Sequence, residues 1–270
     1  MRANVAAALA EDIGGGDVSA TLIDLKTIYR ATVITRSAGV FCGAAWVNQT
    51  LAQVDATITI SWDVADGDVL SPNQVLFRLD GSARGMLTAE RTMLNFVQLL
   101  SGTATRTAEY MRLINGTNAQ LLDTRKTIPG LRVAQKYAVL CGGGGNHRLG
   151  LFDAYLLKEN HITAAGSIKA AVQRARSAHP EMAVEVEVES IAELEQAIAA
   201  SADIVMIDNF SLADTERAVA LARGILKLEA SGGIDAKSIT EIAKKGVDYI
   251  SIGDLTKTVT PLDLSMRFQD

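Results

Sequence analysis

AVEVEVESIAELEQAIAASADIVMID, residues 183–208, decides how this chain folds. It opens on a β-branched run of period two and continues through the helical pattern SIAELEQAIAA. It ends on a second apolar run, DIVMID. A strand, a helix and a strand in that order make a parallel βαβ unit. The same alternation extends in both directions. AQLLD (119–123) and AYLLK (154–158) precede it, and LKLEAS (226–231) and DYISIG (248–253) follow it. The helical patterns SIKAAVQRARSA, TERAVALARG and SITEIAKKG fill the gaps between runs. A closed or nearly closed α/β barrel is the packing this favours, with a doubly wound sheet as the alternative.

Side chains alternate along a strand, so Glu185, Glu187 and Glu189 share one face of the first run and the valines the other. In a barrel the valines meet the surrounding helices and the glutamates point inward. Buried carboxylates are costly unless cations or a metal pair with them. Glu187, with Asp208 at the end of DIVMID, is therefore a candidate for ribose hydroxyls or a Mg²⁺ complex. Glu185 and Glu189 are read as members of an interior network or of the rim.

The polar residues fall at equivalent places. Thr124, Arg125 and Lys126 follow the first run; Lys158, Asn160 and His161 end the second. Asp208 and Asn209, then Ser231, Gly232 and Gly233, then Gly253 and Asp254, end later ones. These are the C-terminal strand ends, where barrel enzymes place their chemistry. The two glycine turns, SGGI and SIGD, suit a phosphate held by backbone N–H groups.

Charge is distributed to match. The run from Asp123 to His161 holds Arg125, Lys126, Arg132, Lys136, Arg148 and Lys158, six of the chain's 26 Lys and Arg residues, together with His147. The whole chain carries a net charge of −5, so the basic cluster is local. Broken by four glycines, it points to a pocket for a small polyanion rather than to nucleic acid or an anionic membrane.

The first part of the chain reads differently. IYRATVITR (28–36), ATITISWDV (56–64) and QVLFRLD (74–80) alternate apolar and polar residues, separated by turn signals at Asp66-Gly67-Asp68 and Ser71-Pro72-Asn73. GAAWVNQTLAQV between the first two has helical spacing, so an open α+β unit is expected, and no residue in it stands out as catalytic. AERTMLNFVQLLSGTATRTAEYMRLI joins this part to the barrel. Two cysteines, Cys42 and Cys141, far apart in 270 residues, read as free thiols in a reducing compartment, Cys141 as a packed thiol. The apolar start is too short for a signal peptide, and the longest uncharged stretch, Ser37–Val54, contains Asn48, Gln49 and Gln53. A soluble cytoplasmic protein is the expectation.

These residues resemble a known family, quinolinate phosphoribosyltransferase, or nicotinate-nucleotide pyrophosphorylase (carboxylating). EDIGGGDVSATLI, ERTMLNFVQLLSGTAT, DTRKTIPGLR, QKYAV, GGGGNHR, LLKENHI, VEVEVE, MIDNF, ASGGI and GVDYISIG carry the resemblance in order. It implies an incomplete α/β barrel of about seven strands (104–259) behind an N-terminal open α+β sandwich domain (1–103), with residues 260–270 packing back on the latter. It implies transfer of phosphoribosyl from phosphoribosyl pyrophosphate (PRPP) to quinolinate with decarboxylation. The products are nicotinate mononucleotide, pyrophosphate and CO₂, on the route to NAD. Mg²⁺ is the implied cofactor, held by Glu187 and Asp208 or indirectly through PRPP. Homodimers are implied too, with Arg91 of one subunit entering its partner's site; whether they assemble into hexamers stays open.

By motif position, Arg91, Arg125, His147, Arg148 and Lys158 surround the quinolinate carboxylates, which planar guanidinium groups recognise bidentately. Lys126, beside Arg125, faces the pyrophosphate side of the sugar donor, and Thr124 is a further substrate-binding residue. Glu187 and Asp208 hold the ribose. Ser231, Gly232, Gly233, Ile252, Gly253 and Asp254 take the 5′-phosphate, mostly through the backbone. Lys126, Lys158, Glu187 and Asp208 are the implied catalytic set. His161 is read as support for Lys158. The family's GALTHS is here GDLTKT, so Asp254 is expected to turn away from the phosphate. Two other readings compete: a molybdenum-utilisation paralogue, against which KENH and KYAV argue, and a barrel lyase using Lys158 as a Schiff-base amine.

Overall fold

The valines of the VEVEVE run set the inner layer of the molecule. In a computed structural model, which describes residues 1–269, Val184, Val186 and Val188 are almost wholly buried on strand β8 (Val184–Val188). Each contributes about 1.5–3 kcal/mol relative to an exposed side chain. The chain divides into two units, one of residues 109–127 and 144–257, the other of 1–108, 128–143 and 258–270.

In the first of these, β8 belongs to a parallel sheet with β6 (Gln120–Leu122), β7 (Tyr155–Leu157), β9 (Ile204–Asp208), β10 (Lys227–Ser231) and β11 (Tyr249–Ser251). The strand order is β6-β11-β10-β9-β8-β7. Every run identified in the sequence became a strand, and helices such as Ile168–Ala178, Ile191–Ala199 and Leu212–Ala222 fill the intervals. Six strands pair in ladders, in keeping with the incomplete barrel of about seven strands that the resemblance implies. The seventh place, outside β6, is held by one isolated bridge between Leu122 and Gly145. Among the described residues no ladder joins this side to β7, so the sheet curls without closing. The reason is local: GGGGNHR has glycines and polar residues where a strand needs β-branched ones.

The other unit is antiparallel. Strands β1 (Ile28–Thr35), β3 (Thr59–Trp62), β5 (Val75–Ser82) and β12 (Leu264–Gln269) form a sheet ordered β12-β1-β5-β3. β12 pairs with β1 from Arg30–Gln269 to Thr35–Leu264. Asp270, the last residue of the segment expected to return here, lies outside the described residues. Its core includes Ala31, Val33, Phe77, Leu79 and Met86. The long helix α3 (Ala83–Leu113) buries Met86, Ala89, Met93, Val97, Leu100 and Ala104, a spacing of three and four that turns one stripe inward. Arg91 lies on the other side of that helix and is exposed.

Residues 128–143 belong with this antiparallel unit, although the sequence placed them within the barrel region. The cause is hydrophobic: Ala134 and Ala138 of helix α4 (Arg132–Cys141) pack in a cluster with Trp46, Phe96 and Leu100. That packing brings Cys141 beside Cys42, with both sulfurs and an Asp66 oxygen within 4.8 Å of one another. Asp66 is already engaged: Oδ1 accepts the amides of Gly43 and Ala44, at the start of helix α2 (Ala44–Val54), and Oδ2 accepts the Tyr137 hydroxyl at 2.7 Å. Among the described residues no helix is long and apolar enough to cross a membrane.

Candidate active site

The C-terminal ends of the parallel strands surround a cleft of about 580 Å³. Strand periodicity explains its lining, since alternate residues face the sheet's concave side. Thr124, beyond β6, is followed into the cleft by Arg125 and Lys126. Lys158 ends β7, Glu187 sits on β8 and Asp208 ends β9. Ser231, Gly232 and Gly233 end β10, and Ile252, Gly253 and Asp254 follow β11. His147 and Arg148 enter from the segment between the Gly145 bridge and β7. Every residue that the resemblance placed against a substrate lines this one cleft except Arg91, which belongs to the other unit. Asp254 and Lys257 both line it as well.

The basic turn after β6 is built tightly. Thr124 Oγ1 accepts the Lys126 amide at 3.0 Å, and Thr256 Oγ1 donates to the Lys126 carbonyl at 2.7 Å. A Cβ on Gly253 would come within 2.7 Å of Lys126 Cδ, so the lysine chain crosses bare backbone there. Gly232 adopts φ +89°, and a Cβ on it would meet Asp208 Oδ1 at 2.6 Å. A turn with no side chain at these positions leaves its backbone open to a ligand's close approach.

Opposite charges meet across the cleft. Lys158 Nζ donates to Glu187 Oε2, and His161 Nδ1 accepts the Lys158 amide at 3.1 Å, the supporting role expected of it. Asp208 Oδ2 accepts from Asn209 Nδ2 at 2.7 Å. Arg148 is half-buried, and burial followed by the nearby Arg125 charge lowers its pKa from the ordinary value. Two guanidinium groups close enough to repel each other make a place prepared for an anion.

Beneath the cleft lies the interior network expected of Glu185, joined by Glu229, which the sequence did not single out. Glu229 of β10 is 1 % exposed and Glu185 of β8 is 4 % exposed. Glu185 Oε2 stands 2.9 Å from His147 Nε2, and Glu229 Oε2 stands 3.5 Å from it. Glu189, at the end of the same face, is exposed and joins no interior network; its amide binds Glu193 instead. Asp123, wholly buried, accepts the His147 amide at 2.9 Å and Asn146 Nδ2 at 2.7 Å. Period two in LKLEAS could have marked Glu229 as inward-facing, since Ser231 shares its face.

Burial, and then the neighbouring Glu185 charge, push the Glu229 carboxyl up to about 8 from an ordinary 4.5. The unfolded chain releases that proton at lower pH than the folded one does. Stability should therefore fall as pH rises from 4.5 towards 8 and level off above. Glu229→Gln is expected to flatten that part of the melting temperature profile between pH 5 and pH 9. An unchanged slope in the variant would assign the dependence to another group.

Models of the quinolinate phosphoribosyl transferase N-terminal and C-terminal domains match residues 17–101 and 103–267. A probable nicotinate-nucleotide pyrophosphorylase [carboxylating] of Bacillus subtilis is 42% identical over 257 residues, covering 95% of this chain and 89% of that protein. The nicotinate-nucleotide pyrophosphorylase [carboxylating] of Mycobacterium leprae is 39% identical over 275 residues, covering 98% and 96%. The structure of the nicotinate-nucleotide pyrophosphorylase from Francisella tularensis superposes with a TM-score of 0.96 at 52% identity, covering 98% of this chain and 94% of that one.

Proposed function

The chain belongs to the quinolinate phosphoribosyltransferase family, and from that premise we infer how its cleft works. The protein is a pentosyltransferase of NAD biosynthesis: it joins quinolinate to PRPP with loss of CO₂, giving nicotinate mononucleotide and pyrophosphate. The observation that carries the assignment of roles is the convergence of one cationic and one anionic half on a single cleft.

Arg125 and Arg148 grip the two carboxylates of quinolinate, with Lys158 beside them. Lys126 meets the pyrophosphate, and the turns at Gly232, Gly233 and Gly253 hold the 5′-phosphate through backbone N–H groups. Glu187 and Asp208 orient the ribose and stabilise positive charge growing at the anomeric carbon as pyrophosphate leaves. The ring nitrogen bonds to that carbon. Loss of CO₂ then leaves an electron pair on the adjacent ring carbon, stabilised by the new cationic nitrogen, and that carbon takes a proton. Little acid–base machinery is needed, so positioning and electrostatics supply the catalysis.

Two carboxylates facing a polyphosphate suit Mg²⁺, a hard cation bound through one or two protein oxygens together with substrate phosphates. Glu187 and Asp208 would hold it, and when bound it neutralises charge on the departing pyrophosphate. Arg91, exposed on α3, enters the site of a second copy of the chain. Helix α4 supports a dimer: Val133, Tyr137 and Leu140, spaced four and three apart, leave an apolar stripe exposed by 66%, 38% and 51%.

With quinolinate, PRPP and Mg²⁺ the purified protein should release CO₂ and pyrophosphate in equal amounts. Turnover with a different aromatic acid but none with quinolinate would overturn the substrate. A borohydride-trapped substrate adduct on Lys158 would turn the assignment to a Schiff-base lyase.

A further inference from the structure

We propose that Glu185 and Glu229 are positioning residues, which hold the His147 ring and through it present Arg148 to the substrate carboxylate. The proposal rests on the reading of Arg148 as a carboxylate grip. Its own ground is the geometry beneath the cleft.

The two glutamates come from β8 and β10, the strands on either side of β9, and both face the concave side of the sheet. Aliphatic residues would pack such a layer at no electrostatic cost, whereas buried carboxyls need a partner to offset desolvation. Glu185 Oε1, Glu229 Oε1 and the nearby Ser251 Oγ have no well-formed hydrogen-bond partner among the described residues. The partner both carboxyl groups share is His147. The imidazole is the group that both reach, while the Arg148 charge also acts on Glu185, and Ser251 and Glu185 also act on Glu229.

The ring's tautomer follows from its other edge. His147 Nδ1 accepts the Arg148 amide at 2.7 Å, so the proton sits on Nε2 and points at Glu185. A metal ion in this His-Glu-Glu cluster would have to displace that proton while Nδ1 remains an acceptor, which the hydrogen bonding opposes. With Asp123 accepting the His147 amide and the Asn146 side chain, the Asn146-His147-Arg148 turn is fastened on two sides. Asp123 holds its backbone. Glu185 and Glu229 bracket its ring. The ring in turn engages the amide of the residue that carries the guanidinium. Arg148 Nη1 donates to the Ala154 carbonyl at 3.4 Å, a long contact that would not fix it alone.

The test separates positioning from folding. Glu185→Gln keeps an acceptor for Nε2–H, and Glu185→Leu removes it. The leucine variant is expected to raise KM for quinolinate about tenfold, with KM for PRPP within about twofold of wild type, while glutamine restores quinolinate KM to within about twofold. Glu229→Leu should move quinolinate KM in the same direction. On the unmodified protein, ¹H–¹⁵N imidazole spectra assigned with His147→Gln should show one protonated nitrogen, Nε2, protected from exchange. A protonated Nδ1, equal rises in both KM values, or a folded Glu185→Leu with wild-type quinolinate KM would each overturn the proposal. If Glu185→Leu fails to fold, the spectrum and the Glu185→Gln kinetics decide. Arg148→Ala is the separate control: an unchanged quinolinate KM there sinks the reading of Arg148, while the spectrum still decides whether the glutamates hold the ring.

Discussion

Arg125→Ala is expected to lower kcat/KM for quinolinate by about 10²- to 10³-fold, with little change in KM for PRPP. The estimate follows from removing one partner of a half-buried charged contact, which costs about 2–5 kcal/mol. The side chain is delivered by a turn with little freedom, since Thr124 and Thr256 fix the Lys126 backbone on both sides. Replacement by lysine should recover only a small part of the loss, because an ammonium cannot reproduce the two parallel N–H donors of a guanidinium. Initial rates with each substrate varied in turn check both statements. Equal losses for quinolinate and PRPP would place Arg125 in general site structure instead of on the dicarboxylate.

The second large effect concerns two chains. Arg91→Ala and Lys158→Ala should each be nearly inactive, yet a mixture refolded together should recover about a quarter of wild-type activity. The arithmetic is that of a two-fold dimer: random pairing makes about half the dimers mixed, and each mixed dimer has one site with neither lesion. The reasoning depends on Arg91 serving a neighbour, which its exposed position on α3 permits. Gel filtration of the mixture guards against failure to associate. Dimers that form and stay inactive would show that Arg91 serves its own chain or none.

Much of this was legible in the sequence because strands and loops differ in chemistry here. VEVEVE and DIVMID gave the period and the direction of the parallel sheet, and the polar residues just beyond each run marked one end of it as functional. That placed nearly all of the cleft. What stayed hidden depends on contacts between distant segments. Nothing in LKLEAS says that Glu229 meets His147, 82 residues earlier by position. Nothing in RVAQKYAVLC says that its alanines belong with Trp46 and Leu100. The seventh place in the sheet is faint for a related reason, since the glycines of GGGGNHR offer one bridge and no ladder.

The bridge at Gly145 has a consequence for how the sheet responds to its ligand. Among the described residues it leaves the sheet as a split ring, with β6 on one lip, β7 on the other and no strand ladder between them. Arg125 lies just past one lip, Lys158 at the end of the other, and Arg148 in the break. A rigid dicarboxylate held by all three would act as a clasp, fastening through the substrate a ring that the backbone never closes.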